Sequence, residues 1–306
     1  MSADEIEKRL QKVGAVIAFD RLLSRGATEV KNIAKYYRSN RLAYYLFNSK
    51  EGFVHMGLSR EGMFNSNDFF EQAYEIASYI NTSKASNVLE LAAGKAATTN
   101  YLATRYPEIT FTGLDLPNGQ LNVYTSKPHN LKLVEGDYHD LSQFASASFD
   151  LVYIIEALCH ARDKTLVMQE VFRILKPNGI FIIFDGYASK SRPDMSENEA
   201  LLSDLTYTSM MVTKDGHFYK DFQKNLKRAH FKIIREGNLS EFVLPSIKRL
   251  ESKAIKYFDH PRAARLLNKV MPIEITGNAV AAYLMPLSFS SGLHQYWLTV
   301  ATKESN

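Results

Sequence analysis

Cysteine is almost missing from this chain: Cys159 is the single one among 306 residues. That excludes an internal disulfide and any multi-cysteine zinc site, and it fits a reducing, cytoplasmic setting. Long apolar runs are lacking as well. The longest, IFIIF at 180–184 and AVAAYLM at 279–285, fall far short of the roughly 20 residues that a bilayer-spanning helix needs. Neither sign of charge dominates. Thirty-seven Lys and Arg against 33 Asp and Glu leave +4, too little to argue for a nucleic-acid partner. The opening stretch MSADEIEKRL carries acids and no apolar centre, so it does not read as a secretory signal. No HExxH or similar ligand spacing is present, and no metal is expected.

What is present is ordinary for a globular chain: 45% hydrophobic and 23% charged residues, with 17 Tyr and 18 Phe. Residues 3–83 read mainly as helix. Ile6, Leu10, Val13 and Ile17 stand at helical spacing. Further helices are expected over 27–47 and 67–82, the latter capped near Asn67, with a glycine-bearing loop, NSKEGFVHMGLSREGMFNSN, between them. From residue 86 strands and helices alternate. Strands are expected at 87–91, 109–114, 131–135, 149–155 and 179–185, and helices at 97–106, 118–126 and 163–175. KPNG at 176–179 reads as the turn that ends a helix and starts a strand. Helical stretches follow at 195–212, 216–229 and 241–288, the last broken near Pro261 and Pro272, with strands at 230–236 and 295–304. The implied fold is α/β: a doubly wound, Rossmann-like sheet of seven strands, mostly parallel with an antiparallel last strand. Residues 1–84 would form a helical cap, 85–240 the core, and 241–306 a helical lid plus the closing strand, all in one compact unit.

Residues 88–103, VLELAAGKAATTNYLA, form the strand–turn–helix that opens a ligand site in such a sheet. The turn has Gly94 but lacks the outer glycines, having Ala92, Ala93 and Ala96 instead. A dinucleotide pyrophosphate needs those glycines for close backbone approach. A ligand without phosphate does not, and S-adenosylmethionine is one. Alanine can replace glycine where φ stays negative. Glu90 would face the ammonium or sulfonium of that ligand. Asp115, 19 residues after Ala96, ends the second strand beside Leu116, where an acid can hold ribose hydroxyls. Asp137, in EGDYHD past the third strand, could accept from the adenine amino group, with Tyr138 beside the ring.

The stretch 148–187 carries YIIEALCHARDK. It resembles class I S-adenosylmethionine-dependent methyltransferases, and in particular the sterol C24-methyltransferases, whose pattern here is close to Y-x-I-E-A-T-C-H-A-x-D-K. The segments AKYYRSNRLAYY and GFVHMG are similar to the N-terminal parts of sterol and tocopherol methyltransferases. The resemblance covers about residues 30–190. It implies S-adenosyl-L-methionine as cofactor, S-adenosyl-L-homocysteine as product, and closure over the cofactor by Tyr36, Tyr37 and His55. Leu158 replaces the family's threonine, the first motif is poor in glycine, and no motif is placed in 190–292. These departures point away from sterol itself and leave methyl transfer to carbon.

Methylating an alkene moves positive charge from sulfur to a carbocation, which needs a dry aromatic pocket and a base. Aromatic faces stabilise cations by about 0.5–2 kcal/mol each. Tyr36, Tyr37, Tyr44, Tyr45, Phe53 and Tyr187 are candidates, with core packing as the competing reading. Glu156, ending the fourth strand, would balance the cation or take the proton. His160 would act as base, or orient Glu156, or make an ordinary structural bond. Asp185 is a further candidate, and Cys159 reads as a buried small hydrophobe. The seven Lys and Arg of 246–269 read as a solvated face, a diphosphate rim or a membrane contact, and 273–289 as a lid. The expected partner is a small lipophilic acceptor. The composition leaves room for peripheral membrane contact and for self-association. Two other functions stay open: a cyclase or binding module that uses the cofactor without methyl transfer, and a methyltransferase that also cyclises a terpene.

Overall fold

A computed structural model describes residues 3–25, 29–117, 127–212 and 217–304. The strands are β1 Asn87–Leu91, β2 Thr110–Asp115, β3 Leu131–Glu135, β4 Phe149–Ile155, β5 Leu175–Ala188, β6 Phe231–Asn238 and β7 His294–Lys303. The helices are α1 Ala3–Gly14, α2 Phe19–Leu23, α3 Val30–Ala43, α4 Glu71–Ser83, α5 Ala97–Arg105 and α6 Lys164–Ile174. They continue as α7 Glu197–Ser209, α8 Tyr219–Arg228, α9 Ser240–Phe258, α10 Pro261–Leu267 and α11 Ile273–Ser290.

The strands form one sheet in the order β3-β2-β1-β4-β5-β7-β6. The first five run parallel, and β7 runs antiparallel to both its neighbours. The order reverses between β1 and β4, so their carboxyl ends diverge into a crevice. The central strands are unbroken apolar runs because both faces are covered. Val88, Leu151 and Ile182 pack under Ile76 of α4, Leu102 of α5 and Ile247 of α9. Leu89, Val152 and Ile183 pack against Val167 and Met168 of α6 and Phe222 of α8. A third core lies above the crevice. Ile6, Leu10 and Val13 of α1 meet Leu202 and Leu205 of α7, Phe258 of α9, and Val280 and Leu284 of α11. Helices of the cap and lid segments share one apolar core, built from early and late segments of the chain.

Three strands, β1, β3 and β4, have the bounds expected from sequence. β5 starts earlier, at Leu175, and its pairing to β4 shifts register between Phe149 and Leu151. KPNG therefore lies as an irregularity inside the strand, with Asn178 at φ 62. The 3-10 turn Ser66–Phe70 that leads into α4 is capped by Asn65, near the expected Asn67: its side chain accepts from the Asn67 amide while Asp68 closes the box. Ile17 falls beyond α1 yet is buried. Pro261 and Pro272 do open new helices, whereas Pro245 and Pro286 lie inside α9 and α11. The helix expected over 118–126 lies outside the described residues. Among the described residues no helix is long and apolar enough to cross a membrane.

Candidate active site

The turn after β1 corrects one expectation. Ala92 and Ala96 do not keep negative φ: they stand at 53° and 55°, with Gly94 at 58° between them. Left-handed backbone costs a non-glycine residue about 1–2 kcal/mol. Tight hydrogen bonds hold it there. The Ala93 amide donates to Leu114 O at 2.9 Å and the Ala96 amide to Ala93 O at 2.7 Å. The Gly94 amide donates to Asp115 Oδ2 at 2.6 Å. Ala92 is only half-buried, so Ala92→Gly relieves strain at little packing cost. Chemical denaturation is expected to show a gain of about 0.5–1 kcal/mol; a loss of stability would mean that the alanine methyl holds the turn.

A cavity of about 1110 Å3 starts at this turn and runs under the helical cap. One half is edged by Glu90, Ala92, Gly94, Asp115, Leu116 and Tyr138; the other by Tyr37, Tyr44, Met210, Val212, Ile247 and Met285. Glu156 lies at the carboxyl end of β4, and with His160 it also lines the cavity.

Burial dominates the acids. It pushes Glu90 up to about 8, against hydrogen bonds from Thr99 and Tyr153. The Thr99 hydroxyl donates to Glu90 Oε2. Burial raises Asp115 to about 6, against the amides of Gly94 and Leu116. It raises Glu156 to about 8. Both hydrogen bonds to Glu156 fall on Oε1, from the Met56 amide at 2.9 Å and the Tyr296 hydroxyl at 2.8 Å, leaving Oε2 to the cavity. Glu156 itself stands at φ 50°, a strained conformation of the kind that clusters at functional sites.

Asp137 has other partners than expected. Its Oδ1 accepts from the His139 amide and ring, and its Oδ2 from Arg162 at 3.0 Å. Against the upward pull of burial, the His139 and Arg162 bonds hold it well below the usual carboxylate range. Both oxygens already have donors, so an adenine amino group would have to share one. Tyr138 donates its hydroxyl to Ala157 O at 3.2 Å.

His160 does not orient Glu156. Its Nδ1 donates to Met211 O at 3.0 Å and its Nε2 accepts from the Tyr37 hydroxyl at 2.8 Å. Burial lowers it to about 4, so it is neutral and fixes Tyr37. Tyr37 stacks on Tyr44 with ring centroids 6.1 Å apart and meets Tyr36 edge-on at 5.2 Å. Tyr36 donates to Asn278 Oδ1 at 3.2 Å. Tyr45, expected in the same group, is 47% exposed. One turn of π-helix, Tyr44–Asn48, follows α3 there, and its wider winding sends neighbouring side chains apart. His55, lowered by burial to about 4, donates Nδ1–H to Met56 O at 3.0 Å. Phe53 packs with Phe69 and Phe70.

Tyr187 is stacked on His217 at 4.3 Å. Asp185 accepts from the Cys159 amide at 2.8 Å, and Cys159 is buried beside Tyr207. Of the basic residues in 246–269, exposed Lys253 and half-buried Arg249 both donate to Phe47 O. Sequence reasoning missed Met56 and Tyr296, which hold Glu156. The alternation of QYWLTV placed Tyr296 on a strand face but not beside an acid 140 residues earlier.

Residues 89–183 match the model of a methyltransferase domain. Over those residues the chain is similar to that family, and its seven-stranded sheet is Rossmann-like. It is 28% identical over 188 residues to the O-methyltransferase cnsE of Penicillium expansum, covering 59% of this chain and 64% of that protein. It is 46% identical over 57 residues to the sterol 24-C-methyltransferase erg6 of Aspergillus fumigatus, covering 19% of this chain and 15% of that one. The chain thus spans less than two thirds of these relatives. Among solved structures, the [4+2]-cyclase SpnF superposes with a TM-score of 0.69 at 14% identity, over 90% of this chain and 96% of that one.

The donor set fits a cationic adenosyl ligand: two buried carboxyls, Glu90 and Asp115, flank the tight turn, and no pyrophosphate cradle of glycines is present. A cation stabilises the ionised form of both Glu90 and Glu156, whose empty-site values near 8 leave them protonated at pH 7. Binding must then release protons, and affinity must rise with pH up to about 8. Calorimetry of S-adenosylmethionine from pH 6 to 9 should show this rise, with proton release at pH 7. A flat profile would separate these acids from the ligand's charge.

Proposed function

We propose that this protein binds S-adenosylmethionine across the carboxyl edge of the sheet and methylates a carbon of a small lipophilic acceptor. The supporting observation is one continuous cavity in which Glu156 stands between the turn after β1 and an apolar, aromatic chamber. Its size suits a cofactor and a second molecule together.

The bound cofactor supplies an electrophilic methyl on a positively charged sulfur. Asp115 binds the ribose, and the Gly94 amide fixes that carboxylate in place. Glu90 turns its carboxyl to the amino-acid end. The cap excludes water, so the acceptor is held in line with the methyl, where positioning alone lowers the barrier substantially. When an alkene's π electrons form the new carbon–carbon bond, the C–S electron pair stays with sulfur and the acceptor carries the charge. The faces of Tyr37 and Tyr44 stabilise that cation. Glu156 Oε2 takes the proton from the carbon next to it, restoring the double bond. The Met56 amide and Tyr296 hydroxyl keep the other oxygen from rotating away.

A second reading is a cyclase that uses the cofactor's charge without transferring its methyl; the fold shared with a [4+2]-cyclase supports keeping it. A methyltransferase that also cyclises a terpene would use the same chamber. Incubation with methyl-labelled cofactor and a lipid extract separates these. Label in an extractable product is expected. Cofactor binding with no labelled product would favour the cyclase or binding module, and mass spectrometry of the product reads ring closure.

A further inference from the structure

The far end of the cavity is not purely apolar. Tyr207 of α7 and His294 of β7 both line it and stack on each other, ring centroids 4.1 Å apart and planes at 19°. Each is at least nine-tenths buried, Tyr207 at 5% exposure and His294 at 2%. His294 Nε2 is bonded to Ser203 Oγ at 3.0 Å. Its Nδ1 and the Tyr207 hydroxyl have no partner. Buried polar atoms are normally satisfied, and one left without a partner needs an explanation.

Strand geometry gives the pair its place. His294 and Tyr296 are two residues apart on β7 and share a face, about 6.7 Å apart along the strand. Tyr296 holds Glu156, so Tyr207 and His294 stand on the same wall as that acid, further from the cofactor. β7 is three strand spacings from β1, about 14 Å across the sheet. Met210, Val212 and Phe289, which line the cavity too, add apolar surface at this end, and the buried Asp185 carboxyl lies near Tyr207.

We propose that Tyr207 and His294 anchor one uncharged polar group, such as a hydroxyl, carbonyl or amide, on an otherwise lipophilic acceptor. Burial pushes His294 down to about 3, so the pair offers hydrogen bonds and no charge. An anionic group would find no counter-charge on these two side chains. The inference rests on the lipophilic-acceptor reading above and adds the polar handle to it.

The test uses the full chain loaded with S-adenosylhomocysteine and two probes of equal carbon skeleton, farnesol and farnesene. Calorimetry or intrinsic fluorescence reads both affinities. The alcohol should bind about 10-fold tighter than the hydrocarbon. Tyr207→Phe and His294→Phe should each cut that preference to about 3-fold or less, with farnesene and S-adenosylhomocysteine binding unchanged. Tyr207→Phe also removes an unpartnered hydroxyl, so the ligand-free Tm should rise by about 2 °C. Equal binding of both probes by the wild type, or variants that lose both probes together, would overturn the anchor alone. Failure of both probes to bind the loaded protein would overturn the lipophilic-acceptor reading and the anchor with it. A lower Tm for Tyr207→Phe would show that the hydroxyl already has a partner, and that too would defeat the proposal.

Discussion

Asp115→Ala is expected to weaken S-adenosylmethionine binding by roughly 100-fold, the equivalent of about 2–3 kcal/mol for a lost charged hydrogen-bond partner. The loss has two sources. The carboxylate that would hold the ribose is gone, and so is the acceptor for the Gly94 amide, at 2.6 Å. That amide lies in the left-handed turn whose strain must be compensated locally. Asp115→Asn separates the two: its carbonyl oxygen can still accept from Gly94, so the turn should survive while ribose affinity falls. Calorimetry measures the binding and thermal unfolding measures the turn. Undiminished affinity in the alanine variant would move the cofactor away from the end of β2.

Glu156→Gln is expected to lower turnover by about 100- to 10,000-fold, the range of a lost general base, while cofactor affinity changes only a few-fold. The amide keeps an oxygen for the Met56 amide and the Tyr296 hydroxyl, so the strained backbone at residue 156 should be preserved. Single-turnover rates with labelled cofactor read the effect. Intact turnover would exclude Glu156 as proton acceptor and direct attention to Tyr37, whose hydroxyl donates to neutral His160. Tyr296→Phe is a milder companion, because it removes one of the two bonds on Oε1 and leaves the carboxyl and the Met56 amide in place.

The sheet was legible because buried parallel strands leave continuous apolar runs, and β1, β3 and β4 end where their runs end. An acid at the end of such a run stands at the carboxyl edge by necessity, which is why Glu90, Asp115 and Glu156 could be placed there. Their partners were not. Met56 precedes Glu156 by 100 residues and Tyr296 follows it by 140, and no periodicity carries information over that span. The backbone at Ala92 and Ala96 was misread because alanine normally avoids positive φ; here tertiary hydrogen bonds overrode the local preference. Asp137 keeps its expected place past β3, whereas its partners Arg162 and His139 lie outside that strand and leave no mark on its pattern. The exposure of Tyr45 was not legible because a π turn breaks the 3.6-residue spacing there.

The two bonds on Glu156 Oε1 also bear on biosynthesis. One donor, Met56, leaves the ribosome well before the acid it holds, and the other, Tyr296, long after it. A nascent chain that has already assembled the cofactor-binding strands still has a half-restrained carboxyl, and shortened chains ending before residue 296 would keep that defect permanently. Such fragments would also lack most of β7, the strand that joins β5 to β6, so their loss reaches beyond one carboxyl.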